Sequence, residues 1–177
     1  FHAVFPGMPC RFMTASLDPI PRHDDRSLHG DDAALTICGT DHQLNLYLLD
    51  IVAGRLQPDE QIDAVFRMHA RWGLRIFSLE AVAFQRELRP AFERRFAEER
   101  ATNPVFRFFE IKEITSRPTT KENRIRGLQP YHERGALRFP GTSLEALHGP
   151  YATLADQMLR FPRSDHDDIL DSLADHI

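Results

Sequence analysis

Three short apolar runs separated by polar stretches occupy the first third of the chain. They are rich in branched and aromatic residues, which is typical of strands. The runs lie at positions 12–17, 34–39 and 44–53. Asp18-Pro19 ends the first run, since proline disfavours continued pairing, and the polar stretch from Pro19 to Asp32 predicts a loop. Four polar residues separate the second and third runs, which indicates a hairpin, so the pattern predicts an antiparallel β-meander.

Helical periodicity replaces the strand pattern after position 57. Pro58 and two acids open a helix, apolar side chains then recur every three or four residues, and Gly73 ends it. The other predicted elements are strands at 75–79, 105–111 and 136–139 and helices at 84–100 (broken or restarted at Pro90), 121–131 and 144–161, with a last helix ending at Ile177. This order is the ribonuclease H-like arrangement. We expect one α/β domain over residues 1–177, a mixed β-sheet flanked by helices.

Composition places the chain among ordinary globular domains. It has 177 residues, 42% of them hydrophobic and 27% charged. No apolar run is long enough to span a bilayer and no signal peptide opens the chain, so we expect no membrane association. The first residue is Phe1 rather than Met, which predicts a fragment or a processed form. Cys10 and Cys38 stand alone, which predicts neither a zinc site nor a disulfide and suits a reducing compartment.

Charge is unevenly distributed along the chain. The formal net charge of −4 argues against a domain that binds nucleic acid by charge alone. Acids gather at 24–32 and 165–171, whereas bases gather at 86–100 and 117–126. A metal-dependent nuclease has this pattern, with acids at its metals and arginines along its groove. Solvated faces of alternating charge are the alternative explanation.

Three acids from distant segments are the candidate site. Asp18 and Glu80 end predicted strands, and Asp168 lies on the last helix. Carboxylate oxygens are the ligands that Mg²⁺ prefers, so these three suit a divalent-metal site. Each has a simpler reading: Asp18 as a turn residue before proline, and Glu80 as a helix cap.

The start of the last helix also has a capping explanation. Ser164 is a good N-cap, and Asp167 resembles its partner in a capping box. Capping explains Asp168 and Asp171 less well, because both follow the cap and border the apolar face of the helix. Metal-free chemistries find no support, since no nucleophile elbow, Cys-His pair or phosphate-binding loop is present.

With these residues in place, the chain resembles the nuclease domain of large terminase subunits from tailed bacteriophages and related prophages. The similarity runs from Ala15 to the end. The segments that carry it are Ser16-Leu17-Asp18-Pro19, 31–39, 49–55, Ser78-Leu79-Glu80 with Phe84-Gln85, 121–130, 135–139, Leu159-Arg160-Phe161-Pro162, His166-Asp167-Asp168 and Asp171-Ser172-Leu173-Ala174.

The resemblance implies a ribonuclease H-like endonuclease that cuts concatemeric double-stranded DNA during genome packaging in the cytoplasm of a bacterial host. Its strand acids match Asp18 and Glu80, and its helix acid matches Asp168. Asp167 and Asp171 are alternatives for the helix acid, and Asp31 fits a further acid near the metals. The implied partners are the terminase ATPase domain, the small terminase subunit and the portal protein. This sequence contains no ATPase domain, so we expect a separable nuclease.

Our mechanistic hypothesis is two-metal hydrolysis. Asp18 would bridge two Mg²⁺ or Mn²⁺ ions, and Glu80 and Asp168 would hold one each. DNA phosphates are expected at the basic segment that contains Arg117, Lys121 and Arg124. Two alternatives stay open: a junction resolvase or transposase-type nuclease with the same acids, and a catalytically silent module that docks DNA or a portal protein.

Overall fold

One mixed six-stranded sheet forms the centre of the molecule. The structure is a computed structural model that describes residues 10–19, 32–81, 88–114, 119–141, 143–164 and 166–177. The strands are β1 (Phe12–Asp18), β2 (Ala33–Thr40), β3 (Leu46–Gly54), β4 (Ile76–Glu80), β5 (Glu110–Ile114) and β6 (Leu137–Arg138). Their order across the sheet is β5-β4-β1-β2-β3-β6. The first three strands pair antiparallel and the other pairings are parallel, which confirms the predicted meander followed by alternating elements.

Helices cover both faces of this sheet. They are α1 (Pro58–Trp72), α2 (Arg89–Thr102), α3 (Lys121–Arg126), α4 (Gln129–Glu133), α5 (Pro150–Arg160) and α6 (Asp168–Ala174). Gly73 ends α1 in the left-handed region at φ 67°, as its position predicts. Pro90 lies in the first turn of α2, where its missing N–H has no cost. In the described part of the chain, no helix is long and apolar enough to cross a membrane.

Alternating side chains of the central strands supply two separate cores. Leu17, Leu35 and Phe77 point to one face and pack with α1 and α2. Ala34 and Leu173 belong to the core of the other face, which β2 and β3 share with the C-terminal helices. This alternation puts residues 14, 16 and 18 of β1 on the face that α6 covers.

The predicted strand at 105–111 begins later than expected. Residues before Glu110 form a turn in which the Phe106 N–H donates to the Asn103 carbonyl. The ring centroids of Phe106 and Phe109 lie 6.1 Å and 5.5 Å from that of Phe66. Phe106 and Phe109 therefore pack against α1 and do not join the strand that their apolar pattern predicts.

Two predicted helices are interrupted. The segment 121–131 forms two helices, α3 and α4, with a break at Gly127 and Leu128. Pro130 has no N–H, so it cannot donate the backbone hydrogen bond that would join the two helices into one. The segment 144–161 forms a 3₁₀ turn at Leu144–Ala146 and then α5, which starts at Pro150 after Gly149 at φ 56°. Apolar periodicity continues across both breaks, so it cannot reveal them.

Candidate active site

Two predicted acids end adjacent parallel strands. The β1–β4 register pairs Leu17 with Leu79, so the backbones of Asp18 and Glu80 lie side by side at the carboxyl ends of these two strands. Carboxyl ends of neighbouring parallel strands are a recurrent place for functional groups. The side chain of Glu80 lies outside the described part of the structure.

The Asp18 carboxyl is partly buried among other carboxylates. Burial is the largest cause that raises its pKa, and the nearby charges of Asp171, Asp168 and Asp175 raise it further. The ammonium of Lys121 opposes them, and the resulting pKa is about 7, against an ordinary value of 3.8. With a pKa near 7, the Asp18 carboxyl can hold a proton at neutral pH or lose it and bind a cation instead.

Helix α6 brings the other acids to Asp18. Its apolar face packs against β1 and β2 and is formed by Ile169, Leu170, Leu173 and Ala174. Asp168 and Asp171 are each only 7% exposed, so their charges lie close to the core. Asp175 follows directly at the C-cap of the helix.

The predicted cap of this helix is wrong. Asp167 occupies the N-cap position, without a side-chain capping bond, and α6 begins at Asp168. The Ser164 hydroxyl donates to the His166 carbonyl in the preceding turn instead. A side-chain capping bond therefore does not account for Asp167, and Asp168 and Asp171, in the first turn of the helix, remain candidate site residues.

Two basic side chains of α3 lie against these acids. The Lys121 Nζ is 2.8 Å from Asp167 and 3.5 Å from Asp171, and the Arg124 Nη2 donates to both carboxylate oxygens of Asp171 at 2.7 Å. Burial lowers the pKa of Lys121, but the bond to Asp167 and the charges of Asp171 and Asp18 outweigh it, so the pKa lies above its ordinary value. Both cations, expected to contact phosphates, pair with acids of the chain here.

The predicted residues thus separate into three groups. Asp18, Asp168 and Asp171 are brought together, with Asp167 joined to them through Lys121. Lys121 and Arg124 form the second group, paired with these acids. Asp31, Arg117 and the side chain of Glu80 lie outside the described part of the structure. Within the part of the chain that the structure describes, no three Asp, Glu, His or Cys side chains are gathered closely enough to hold a metal ion.

The site nevertheless has the chemistry of a divalent-cation site. The donors around Asp18 are all carboxylate oxygens, which hard cations such as Mg²⁺ and Mn²⁺ prefer. Burial and, after it, the charges of neighbouring carboxylates raise the pKa of Asp18; a cation would offset these charges, as the ammonium of Lys121 already does in part. In charge and in donor type these residues therefore suit a divalent ion, although the described carboxylates are not gathered closely enough to enclose one.

Sequence reasoning missed the polar residues beneath the acids. Thr14, Ser16 and Thr36 of the sheet contact Ser172 and His176 of the α6 segment. The available signal was the alternation of Thr14, Ser16 and Asp18, which places three polar side chains on one face of a central strand.

Comparison with known proteins identifies this fold. No protein-family model matches the chain, and no curated protein matches its sequence. The nuclease of the large terminase from thermophilic phage G20c, solved with bound cobalt, is similar with a TM-score of 0.59 at 13% identity, over 92% of this chain and 78% of that chain. The nuclease domain of the Sf6 large terminase subunit, solved with manganese, gives 0.55 at 10% identity, over 98% and 90%. The yeast mitochondrial Holliday junction resolvase gives 0.50 at 12% identity, over 98% and 81%.

The chain has the ribonuclease H-like fold of these nucleases. The predicted fold class and the likeness to terminase nuclease domains are thereby confirmed at the level of the fold. Strand β1 is central in this sheet, and α6 packs across it. Asp18 therefore ends the first strand and Asp168 lies on the last helix, which are the positions that the sequence predicts for two of the acids.

The metal-free protein is expected to lose stability as the pH rises through 7. The pKa of Asp18 is higher in the folded state than in the unfolded state, so folding binds a proton between pH 3.8 and 7, and that stabilisation is lost as the pH rises. Burial lowers the pKa of His176 from 6.5 to about 4, which has the opposite sign: stability increases with pH between 4 and 6.5.

The two effects oppose each other below pH 6.5, and only that of Asp18 continues above it. Thermal unfolding in EDTA from pH 4.5 to 8 measures the sum. Asp18→Asn should unmask the rise between pH 4.5 and 6.5 and remove the fall near pH 7. An identical pH profile in the variant and the wild type would contradict the assignment to Asp18.

Proposed function

We propose that this chain is the metal-dependent endonuclease domain of a bacteriophage DNA-packaging terminase, and that it hydrolyses phosphodiester bonds of double-stranded DNA. The observation that carries the proposal is Asp18: a carboxyl at the end of the central strand, beside Asp168 and Asp171, with its pKa raised to about 7. Perturbed carboxyls of this kind concentrate at functional sites. The fold shared with the G20c terminase nuclease supports the terminase assignment.

Asp18, Glu80 and Asp168 would hold the Mg²⁺ or Mn²⁺ ions. Among the helix acids, Asp168 is the one that the resemblance matches to the metal ligand, and Asp171 is paired with Arg124 through both of its oxygens. Divalent ions supply the positive charge that activates water and offsets charge on the leaving oxygen. Terminase nucleases of the same fold have been solved with cobalt, magnesium and manganese, which supports this choice of cofactor.

The chain's own residues prepare this site in three ways. Asp18 must lose its proton for its oxygens to act as ligands, which the raised pKa makes dependent on pH near neutrality. Arg124 holds α6 through Asp171. Lys121, whose side chain is 40% exposed, lies at the edge of the site and is the proposed contact for a DNA phosphate. By analogy with terminases, the ATPase domain, small subunit and portal protein are proposed partners in the host cytoplasm.

Cleavage of supercoiled plasmid tests this function. The wild-type chain should nick and linearise the plasmid with Mn²⁺ or Mg²⁺ and not with EDTA. Asp168→Asn should lower the rate at least about a hundredfold, whereas Asp167→Asn should lower it by less than about tenfold, because the carboxylate of Asp167 is paired with Lys121. Asp156→Asn, an exposed acid on α5, is the matched control. No cleavage by a folded protein with any metal would favour the docking module instead.

A junction resolvase is the second candidate. The yeast mitochondrial resolvase shares the fold at a TM-score of 0.50, and the same acids would serve it. A synthetic four-way junction and a linear duplex of the same sequence separate the two functions. Equal rates on both substrates support the terminase assignment, and a strong preference for the junction would overturn it.

A further inference from the structure

The polar face of β1 is matched, position for position, by the α6 segment. Along β1 every second side chain points to α6, a step of about 6.6 Å. Along α6 every fourth residue returns to the same side, a step of about 6.0 Å. The two steps are close enough that two contacts stay in register: Thr14 with His176, and the Ser16 carbonyl with Ser172, while the Ser16 hydroxyl donates to Asp175 at 3.3 Å. One helical turn before Ser172, the charge of Asp168 lies near enough to Asp18 to raise its pKa, as does that of Asp171.

Hydrogen bonds through Thr36 of β2 connect the contact of Ser16 with Ser172 to the contact of Thr14 with His176. The Ser172 hydroxyl donates to the Ser16 carbonyl at 2.8 Å. The Thr36 Oγ1 lies 2.7 Å from the Ser172 Oγ and 3.0 Å from the His176 Nε2. Ser16, Thr36 and Ser172 are fully buried, so the contacts among these three residues exclude water, whereas the contact with His176 is partly buried. The Nδ1 of the same imidazole lies 2.7 Å from the Thr14 Oγ1.

Counting protons gives every bond of this group a direction. Ser172 has one hydroxyl proton and gives it to a carbonyl, which can only accept, so Ser172 must accept from Thr36. The proton of Thr36 is then used, so the Nε2 of His176 carries hydrogen and donates to Thr36. A neutral imidazole has one N–H, and its Nδ1 therefore accepts from Thr14. Burial, which lowers the pKa of His176 to about 4, agrees with a neutral ring.

We propose that Ser172, Thr36 and His176 are positioning residues: their hydrogen-bonded line sets the position of α6 along β1 and so holds Asp168 opposite Asp18. The apolar contacts of a seven-residue helix are non-directional and tolerate sliding, whereas hydrogen bonds of 2.7–3.0 Å do not. A slip of one helical residue would move Asp168 by about 1.5 Å and turn it away from Asp18. This inference rests on the proposed function, because its purpose is to space two metal ligands.

A matched pair of substitutions at Thr36 tests the line. Thr36→Val keeps the shape of the side chain and removes its hydroxyl, whereas Thr36→Ser keeps the hydroxyl and removes a methyl group. Mn²⁺ affinity is measured by calorimetry, and thermal stability is measured in EDTA. Both variants should be less stable than the wild type. Only Thr36→Val should lose Mn²⁺ affinity, by about 10–100-fold, the range expected when groups that orient metal ligands are removed.

Each outcome has a distinct meaning. Mn²⁺ binding by Thr36→Val at wild-type strength would overturn the inference and leave the proposed function standing. Absence of Mn²⁺ binding by the folded wild type would overturn both. If Thr36→Val does not fold, Ser172→Ala provides the same comparison. Independently, ¹⁵N NMR of His176 should show the Nε2–H tautomer in the wild type, and an Nδ1–H tautomer would disprove the line.

Discussion

Asp18→Asn is expected to make the metal-free protein more stable and to abolish its metal-dependent cleavage. The carboxylate of Asp18 is partly buried beside Asp168 and Asp171, so its charge destabilises the folded state in the absence of a cation. The amide keeps the shape and removes the charge. At pH 8 we expect a gain of about 1–2 kcal/mol in the free energy of unfolding, less than the full pKa shift would give, because Asp18 is only partly buried and the amide that replaces it must also be desolvated.

The same substitution should lower the cleavage rate by at least about a thousandfold. Loss of a central ligand removes several kcal/mol of charge stabilisation, and each 1.36 kcal/mol corresponds to a factor of ten. Thermal unfolding in EDTA and plasmid cleavage with Mn²⁺ measure the two effects on one preparation. Asp156→Asn, which breaks only an exposed ion pair with Arg160, should leave the cleavage rate unchanged and alter the stability by no more than about 0.5 kcal/mol. A variant that cuts at the wild-type rate would exclude Asp18 from the chemistry, and a variant less stable than the wild type would contradict its electrostatic description.

The opposite signs of these effects are typical of a functional site. A residue selected only for folding would not leave a carboxyl among other carboxylates at the end of a central strand. Mn²⁺ should raise the melting temperature of the wild type and not that of Asp18→Asn, because an ion that binds only the folded state stabilises it.

The central sheet could be predicted from the sequence because its signals are local. Alternation in β1 and β2, the polar tetrapeptide between β2 and β3, and Gly73 after α1 each depend on a few neighbouring residues. Parallel pairing of β1 with β4 then puts Asp18 beside Glu80, as the element order predicts. The breaks at Pro130 and Gly149 escaped prediction because the apolar period continues across them.

The partners within the site could not be predicted in the same way. Lys121 and Arg124 are more than 40 residues from Asp167 and Asp171 along the chain, and only the packing of α3 against α6 brings them together. A basic segment in a sequence does not show whether its charges face phosphates or carboxylates. The hydrogen bonds through Thr36 could not be predicted for the same reason, since isolated Ser, Thr and His residues show no spacing in the sequence that indicates a network.

Arg124→Met is expected to destabilise the protein by about 2–4 kcal/mol. Asp171 is 7% exposed and receives both of its Arg124 bonds at 2.7 Å, so removal of the guanidinium leaves a buried carboxylate with only the 3.5 Å contact to Lys121. Breaking one side of a buried pair costs about 3–5 kcal/mol, and the partial exposure of Arg124 places this case at the lower end. Urea unfolding of the metal-free protein measures the change.

The double variant Arg124→Met, Asp171→Leu should recover most of that loss, because it leaves neither charge buried and unpaired. Lys121→Met is the contrasting variant: its bond to Asp167 lies at the surface and its contact with Asp171 is longer than that of Arg124, so the loss of stability should be smaller than for Arg124→Met. Its DNA affinity, measured by fluorescence anisotropy at several salt concentrations, should instead fall, with a salt slope smaller by about one. If Arg124→Met weakened DNA binding with unchanged stability, Arg124 would be a phosphate ligand as the basic segment first suggested. If it destabilised the fold as expected, Arg124 holds α6 in place and Lys121 alone of the two cations is available to DNA.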